Sequence, residues 1–131
     1  MVDSAKPLEI TEQTTPEFRN DLNRLSSEER ARVAVELRRS YDLLRNKRDA
    51  FFMRVKRPQA VQLKGGFSSS LYSVRVGRDI RLIVAVDADP IFGQMLVTLF
   101  RAVHHDKLDR AYRSVANALY RNQIQRNGRP V

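Results

Sequence analysis

The 131-residue chain has no cysteine and only two histidines, His104 and His105, which are adjacent. Without cysteine there is neither a disulfide framework nor a thiolate metal site. Two histidines would need carboxylates to complete a structural zinc site, and no such ligand spacing occurs in the sequence. We therefore expect no metal and no other cofactor.

Long apolar runs are also absent. No segment approaches the ~18 apolar residues that a membrane-spanning helix needs, and the first residues lack the apolar stretch of a signal peptide. We expect a soluble, cytoplasmic protein with no membrane partner. The adjacent Gly65 and Gly66 do not form the G-x-x-x-x-G-K-[ST] spacing of a P-loop, so nucleotide hydrolysis is not expected.

Positive charge is in excess. The chain has 24 Lys and Arg against 15 Asp and Glu, a net charge of +9, and its pI is about 10.6. Such a surplus attracts polyanions through long-range electrostatics and counterion release. Nucleic acid or the ribosome is the first candidate partner and an acidic protein the second, whereas a surplus that only maintains solubility is the alternative. Most of the cations are arginines, which suit bidentate phosphate contacts.

The length indicates one domain over residues 1–131. With 42% apolar residues, the chain can build one modest core but not two ordinary domains. The polar ends, residues 1–6 and 122–131, are expected to be flexible.

Two helix starts are visible near the N-terminus. Thr15 and Pro16 combine an N-cap residue with a proline at the first helical position. Ser26 and Glu29 have the spacing of a capping box. The second helix has one apolar face and must end before Pro58.

Period-two alternation predicts the strands. They are an N-terminal strand over 8–14 and a meander over 71–76, 80–86 and 94–103. Asp106 is the predicted cap of a last helix. The resulting order, β-α-α-β-β-β-α, predicts an α+β fold with an antiparallel β-sheet packed by an N-terminal helical hairpin and a C-terminal helix.

Arg75 and Arg81 stand on one face of the predicted hairpin, opposite its all-apolar face. They lie on neighbouring strands near the turn, so their guanidinium groups can converge on a phosphate. The alternative is a solvated face whose arginines pair with Asp79 or Asp87. The residues alone leave both interpretations open.

The block from Leu63 to Asp87, LKGGFSSSLYSVRVGRDIRLIVAVD, resembles the RelE/ParE toxin superfamily. The order of elements and a late His-His-Asp followed by Tyr112 extend the resemblance to roughly residues 8–119. It implies the toxin of a type II toxin–antitoxin system that takes part in the bacterial stress response. In the RelE branch such toxins cleave mRNA in the ribosomal A site and are silenced by a cognate antitoxin protein.

The resemblance also implies a metal-free endoribonuclease mechanism, in which the 2′-hydroxyl attacks the adjacent phosphate and the 5′-oxygen leaves. That chemistry needs a base, an acid and cations that stabilise charge on the phosphorane. By this resemblance, Arg81 matches an arginine that stabilises the phosphate. Tyr112 matches a tyrosine that stacks on a base or transfers a proton. Some branches of the family use a histidine in place of this tyrosine. The catalytic candidates are Arg81, Arg75, Tyr112, His104 and His105. The RNA-binding candidates are Lys64, Arg78 and Arg57.

Two positions depart from the RelE pattern. Ser73 stands where RelE has a lysine, and Asp106 stands where it has an arginine. A strong electrostatic donor contributes about 3–4 kcal/mol, so losing two should weaken phosphorane stabilisation by several kcal/mol. ParE-like members lack the nuclease residues and poison DNA gyrase by protein contact. The alternative function is therefore a non-catalytic, ParE-like gyrase inhibitor or a protein-interaction module on the same fold.

Overall fold

The computed structural model describes residues 9–56, 71–89, 91 and 93–127. The elements in chain order are β1 (Glu9–Thr14), α1 (Pro16–Arg24), α2 (Ser27–Asn46), α3 (Arg48–Arg54), β2 (Leu71–Val76), β3 (Ile80–Asp89), β4 (Gln94–His104), a short 3-10 helix (His105–Lys107) and α4 (Leu108–Asn127). The strands form one sheet in the order β1-β4-β3-β2. The α+β fold is thus confirmed.

The predicted meander forms three of the four strands of the sheet, and β2 lies at one edge. Strands β2, β3 and β4 are antiparallel neighbours, whereas β1 pairs with β4 in parallel, so the N-terminal strand makes the sheet mixed. A register shift between Ile83 and Val84 marks a bulge in the β3–β4 pairing.

Both predicted helix starts are confirmed. The Oγ1 of Thr15 accepts a hydrogen bond from the N–H of Phe18 at 3.0 Å, and Pro16 opens α1. The Oγ of Ser26 accepts from the N–H of Glu29 at 3.1 Å, and Glu29 Oε1 accepts from the N–H of Ser26 at 2.9 Å. Local sequence alone therefore fixes where α1 and α2 begin.

We expect Ser26→Ala to lower the free energy of unfolding by about 1 kcal/mol, because it leaves one helix-terminal N–H without its side-chain acceptor. Urea denaturation measures the loss. The exposed neighbour Ser27 supplies the control: Ser27→Ala should change stability by less than about 0.5 kcal/mol. Equal losses in the two variants would show that the capping box is not stabilising.

One predicted helix end is confirmed and one predicted helix start is wrong. The second helix ends at Asn46, well before the proline, because Lys47 leaves the helical region with φ −146° and ψ 69° and α3 starts after it. Asp106 is not a cap, as it is the central residue of the 3-10 helix, and α4 begins at Leu108. At the other end α4 continues to Asn127, so the first part of the predicted tail is helical; residues 1–6 and 128–131 lie outside the described residues.

Helices cover both faces of the sheet. Helices α1, α2 and α3 pack on one face, where the buried residues are Phe18, Leu25, Val33, Leu44, Phe51, Val74, Val76, Ile80, Leu82, Val84, Met95, Val97, Leu99 and Ala102. Helix α4 packs on the other, in a second core of Leu71, Ile83, Ala85, Val103, Ala111, Tyr112, Val115 and Ala116. The face predicted to be open is therefore covered by α4, except at the hairpin end where Arg75 is exposed.

Asp21 attaches α1 to the edge of β4. Its carboxylate, 5% exposed, accepts from Arg101 Nε at 2.6 Å, from Arg101 Nη2 at 3.1 Å and from the N–H of Ala102 at 3.0 Å. Strand β1 pairs with β4 only as far as Leu99, so the carboxylate takes the place of the next strand carbonyl. The hydrogen bonds to Asp21 raise the pKa of Arg101.

Candidate functional site

The β2–β3 turn, residues 77–79, lies at the end of the sheet where most of the candidate cations meet. Gly77 has φ +62°, in the left-handed region that favours glycine, and this allows the tight reversal. The N–H of His105 donates to the carbonyl of Asp79 at 2.7 Å. The turn is thereby held against the chain that follows β4.

Arg75 and Arg81 are direct partners across the β2–β3 ladder. Arg75 Nε donates to the carbonyl of Gly77 at 2.9 Å. Arg81 Nη1 donates to the carbonyls of Arg78 at 3.1 Å and Ile80 at 2.9 Å. Both side chains are therefore fixed toward the turn while several N–H donors of each guanidinium remain for a ligand.

The alternative partners for these arginines, Asp79 and Asp87, do not form ion pairs with them. Within residues 9–56 and 71–127 as far as these are described, the ion pairs join Arg45 to Asp42, Arg54 to Glu36 and Arg101 to Asp21. The paired Arg75 and Arg81 thus bring two adjacent positive charges that no described carboxylate neutralises. Such a pair is well suited to hold a phosphate.

His104 and His105 complete this end of the sheet. His104 pairs with Ile80 in the β3–β4 ladder, and both histidines are exposed. The hydrogen bond from the Ser26 backbone lowers the pKa of Glu29, and the charge of His104 adds to this effect. Two exposed imidazoles therefore lie at the same end of the sheet as the paired arginines, and imidazole is a common general acid or base.

Tyr112 is placed differently from the other catalytic candidates. It is 3% exposed and belongs to the α4 core with Leu71, Ile83 and Val103. This is the position of a core side chain on the apolar stripe of the last helix, so its catalytic role stays a prediction.

The two departures from the RelE pattern also have distinct surroundings. Ser73 is buried, and its backbone exchanges two hydrogen bonds with Lys56, of 2.6 and 3.0 Å. Asp106 is exposed on the 3-10 helix. The RNA-binding candidates Lys64 and Arg57 lie outside the described residues, whereas Arg78 is an exposed residue of the turn.

A cleft of about 540 Å³ opens beside the turn, between α2, α3 and β2. Its lining includes Arg39 and Arg54, which join Arg75 and Arg78 there. Sequence reasoning missed the first two because no spacing along the chain relates α2 or α3 to the turn. The one available signal was the abundance of arginine on the second helix.

The structure therefore defines a small α+β protein with an electropositive end, at which two paired arginines, a third in the turn and two exposed histidines meet. Among the described residues, no cluster of side chains has the composition of a metal site. No helix in that part of the chain is long and apolar enough to cross a bilayer.

The chain is similar to several solved structures at low sequence identity. One is a chain of the RelB-RelE antitoxin-toxin complex from Methanococcus jannaschii (15% identity, TM-score 0.45, covering 75% of this chain and 95% of that one). A second is the YoeB/ParE toxin from Agrobacterium tumefaciens (15% identity, TM-score 0.40, covering 72% of this chain and 96% of that one). A third is the conserved hypothetical protein HP0894 from Helicobacter pylori (19% identity, TM-score 0.34, covering 77% of this chain and 98% of that one). No protein-family model and no curated protein matches the sequence. We therefore base the function on the residues of this chain.

Proposed function

We propose that this protein is the toxin of a type II toxin–antitoxin system and acts in the cytoplasm as a ribosome-dependent mRNA endonuclease. The observation that carries the proposal is the cross-strand pair Arg75 and Arg81, which no described carboxylate neutralises, beside the exposed His104 and His105. The resemblance of the strand block to RelE and ParE toxins supports the same class.

The proposed reaction needs only groups that the chain and the RNA supply. The 2′-oxygen of a nucleotide forms a bond to the adjacent phosphorus, and the bond from phosphorus to the 5′-oxygen breaks. Arg75 and Arg81 stabilise the additional negative charge on the phosphorane. One histidine takes the proton of the 2′-hydroxyl or delivers a proton to the leaving 5′-oxygen, and a residue of the ribosome or the other histidine completes the transfer.

The proposed partners follow from charge as well as from the resemblance. A net charge of +9 favours the ribosome and mRNA, and it equally favours an acidic antitoxin that silences the protein. We infer that the cognate antitoxin competes with RNA for the electropositive end. A stable complex that leaves this end open to RNA would contradict that inference.

The buried, uncharged Ser73 and the exposed carboxylate of Asp106 favour a second candidate function. Both positions lack the cation that RelE has, so the nuclease site contains fewer groups to stabilise the phosphorane. A non-catalytic toxin that inhibits DNA gyrase by protein contact, or a protein-interaction module, needs no such cations.

We expect Arg81→Ala to reduce mRNA cleavage about 10²- to 10³-fold, the loss typical of one strong electrostatic donor. The measurement is induced expression in a bacterial host followed by primer extension on a translated reporter mRNA. The control is Arg38→Ala, an exposed arginine on α2 that does not line the cleft. Arg38→Ala should melt within about 3 °C of the wild type, since exposed surface changes cost little. Arg81→Ala should also remain folded but melt somewhat lower, because it loses two hydrogen bonds to carbonyls at the turn.

The possible results separate the candidate functions. In-frame cuts that persist in Arg38→Ala and vanish in Arg81→Ala support the nuclease. Undiminished cutting by Arg81→Ala would refute the role of the arginine pair. Growth arrest without cuts would point to gyrase or another protein target, and absence of arrest would show that the fold serves another purpose.

A further inference from the structure

The cleft beside the turn collects arginines from separate parts of the chain. Its volume of about 540 Å³ falls in the range of roughly 300–1,000 Å³ that is usual for small-ligand sites. Part of its wall is apolar and comes from Phe51, Val55 and Val74. The arginines in its lining are Arg39 of α2, Arg54 of α3, Arg75 of β2 and Arg78 of the turn.

One carboxylate also lines the cleft, and its hydrogen-bonding capacity is used within the fold. Glu36 is buried; its Oε1 accepts from Arg54 Nη2 at 2.9 Å, and its Oε2 accepts from Ser40 Oγ at 3.1 Å. Glu36 therefore neutralises Arg54, and together they connect α2 to α3. This ion pair leaves the other arginines of the cleft without a carboxylate.

Arg39, Arg75 and Arg78 are those remaining arginines. None of the three lies within ion-pair distance of a carboxylate in the described part of the chain. Arg75 uses its Nε to reach the carbonyl of Gly77, which positions the side chain and leaves its terminal nitrogens for a ligand. Like charges gathered around a partly apolar wall repel one another, and a bound anion removes that repulsion.

We propose that this cleft binds a phosphate group through Arg39, Arg75 and Arg78, as a site additional to the Arg75–Arg81 pair. Arginine forks match the oxygens of phosphate and can bind them in a bidentate arrangement. The volume accommodates a ligand of nucleotide size rather than a lone ion. The phosphate comes from the RNA backbone or from a free phosphorylated molecule.

The RNA source rests on the proposed function. Arg75 belongs both to the cross-strand pair and to the cleft wall. Arg78 lies in the turn between Arg75 and Arg81 and also lines the cleft. Under this proposal an RNA whose scissile phosphate contacts Arg75 and Arg81 places a neighbouring phosphate in the cleft, since Arg75 belongs to both sites. In this arrangement the cleft sets the direction in which the RNA crosses the turn.

The test compares Arg39→Gln with Arg38→Gln, because these neighbouring arginines are both exposed on α2 and only Arg39 lines the cleft. The probes are a fluorescent single-stranded oligoribonucleotide with a 5′-hydroxyl, followed by anisotropy, and pyrophosphate, followed by calorimetry. We expect Arg39→Gln to weaken oligoribonucleotide binding about tenfold and to reduce the salt slope by about 0.7, the value for one phosphate contact to a single strand. Arg38→Gln should change the affinity less than about twofold.

Each result decides a different part of the proposal. Loss of oligoribonucleotide affinity in Arg39→Gln alone supports the RNA backbone as the ligand, and loss confined to pyrophosphate supports a free phosphorylated molecule. Equal losses in both variants, or no loss in either, would overturn the cleft site. Neither binding assay depends on cleavage, so if the wild type fails to cut mRNA but Arg39→Gln still weakens binding, the proposed function fails and the cleft site stands.

Discussion

Asp21→Ala is expected to lower the free energy of unfolding by about 3 kcal/mol, the lower end of the range for removing one partner of a buried ion pair. The variant leaves the guanidinium of Arg101 and the N–H of Ala102 without their acceptor. Arg101 is half-buried and part of its charge can reach water, which places the loss at that end of the range. Urea denaturation with a common slope for variant and wild type measures it.

A surface ion pair provides the matched control. Asp42 lies 3.7 Å from Arg45 on the exposed side of α2, and Asp42→Ala should cost less than about 1 kcal/mol. The loss in free energy of unfolding for Asp21→Asn should lie between those for Asp21→Ala and Asp42→Ala. The amide loses the charge but retains one oxygen that can accept from the N–H of Ala102. A loss below about 1 kcal/mol for Asp21→Ala would show that α1 is attached to the sheet by its apolar contacts alone.

The Asp21 network illustrates what the sequence could not predict. The predictable features depend on residues a few positions apart: the N-cap of α1, the capping box of α2 and the alternation that pairs Arg75 with Arg81. Asp21 and Arg101 are eighty positions apart, and no local pattern relates them. The parallel pairing of β1 with β4 depends in the same way on how the chain returns across the sheet.

The candidate site also contains some residues whose proximity the sequence predicts and others whose proximity it does not. Arg75, Arg78, Arg81 and the two histidines meet because the hairpin and the end of β4 are adjacent in the meander, which strand alternation predicts. Arg39 lies on a helix, and its position beside the turn depends on tertiary packing. Residues whose role depends on such packing are those for which a motif gives least information, and Tyr112 is the clearest example.

Tyr112→Ala is expected to lower the free energy of unfolding by about 3–5 kcal/mol, because it removes a large aromatic side chain from the α4 core and leaves a cavity. Tyr112→Phe keeps the ring, and no described residue forms a hydrogen bond with the hydroxyl, so it should cost less than about 1 kcal/mol. Thermal and urea unfolding of the two variants measure this difference.

The same Tyr112→Phe variant decides between the two roles of this residue. If its hydroxyl transfers a proton during cleavage, the variant should lose about 10²- to 10⁴-fold in rate while remaining folded. A side chain that is 3% exposed cannot bring its hydroxyl to RNA without opening the contact between α4 and the sheet, and that opening exposes apolar surface at a cost in free energy. We therefore expect Tyr112→Phe to cleave mRNA within about twofold of the wild type, whereas Arg81→Ala does not. A folded Tyr112→Phe protein that no longer cleaves would instead mean that α4 moves away from the sheet when RNA binds.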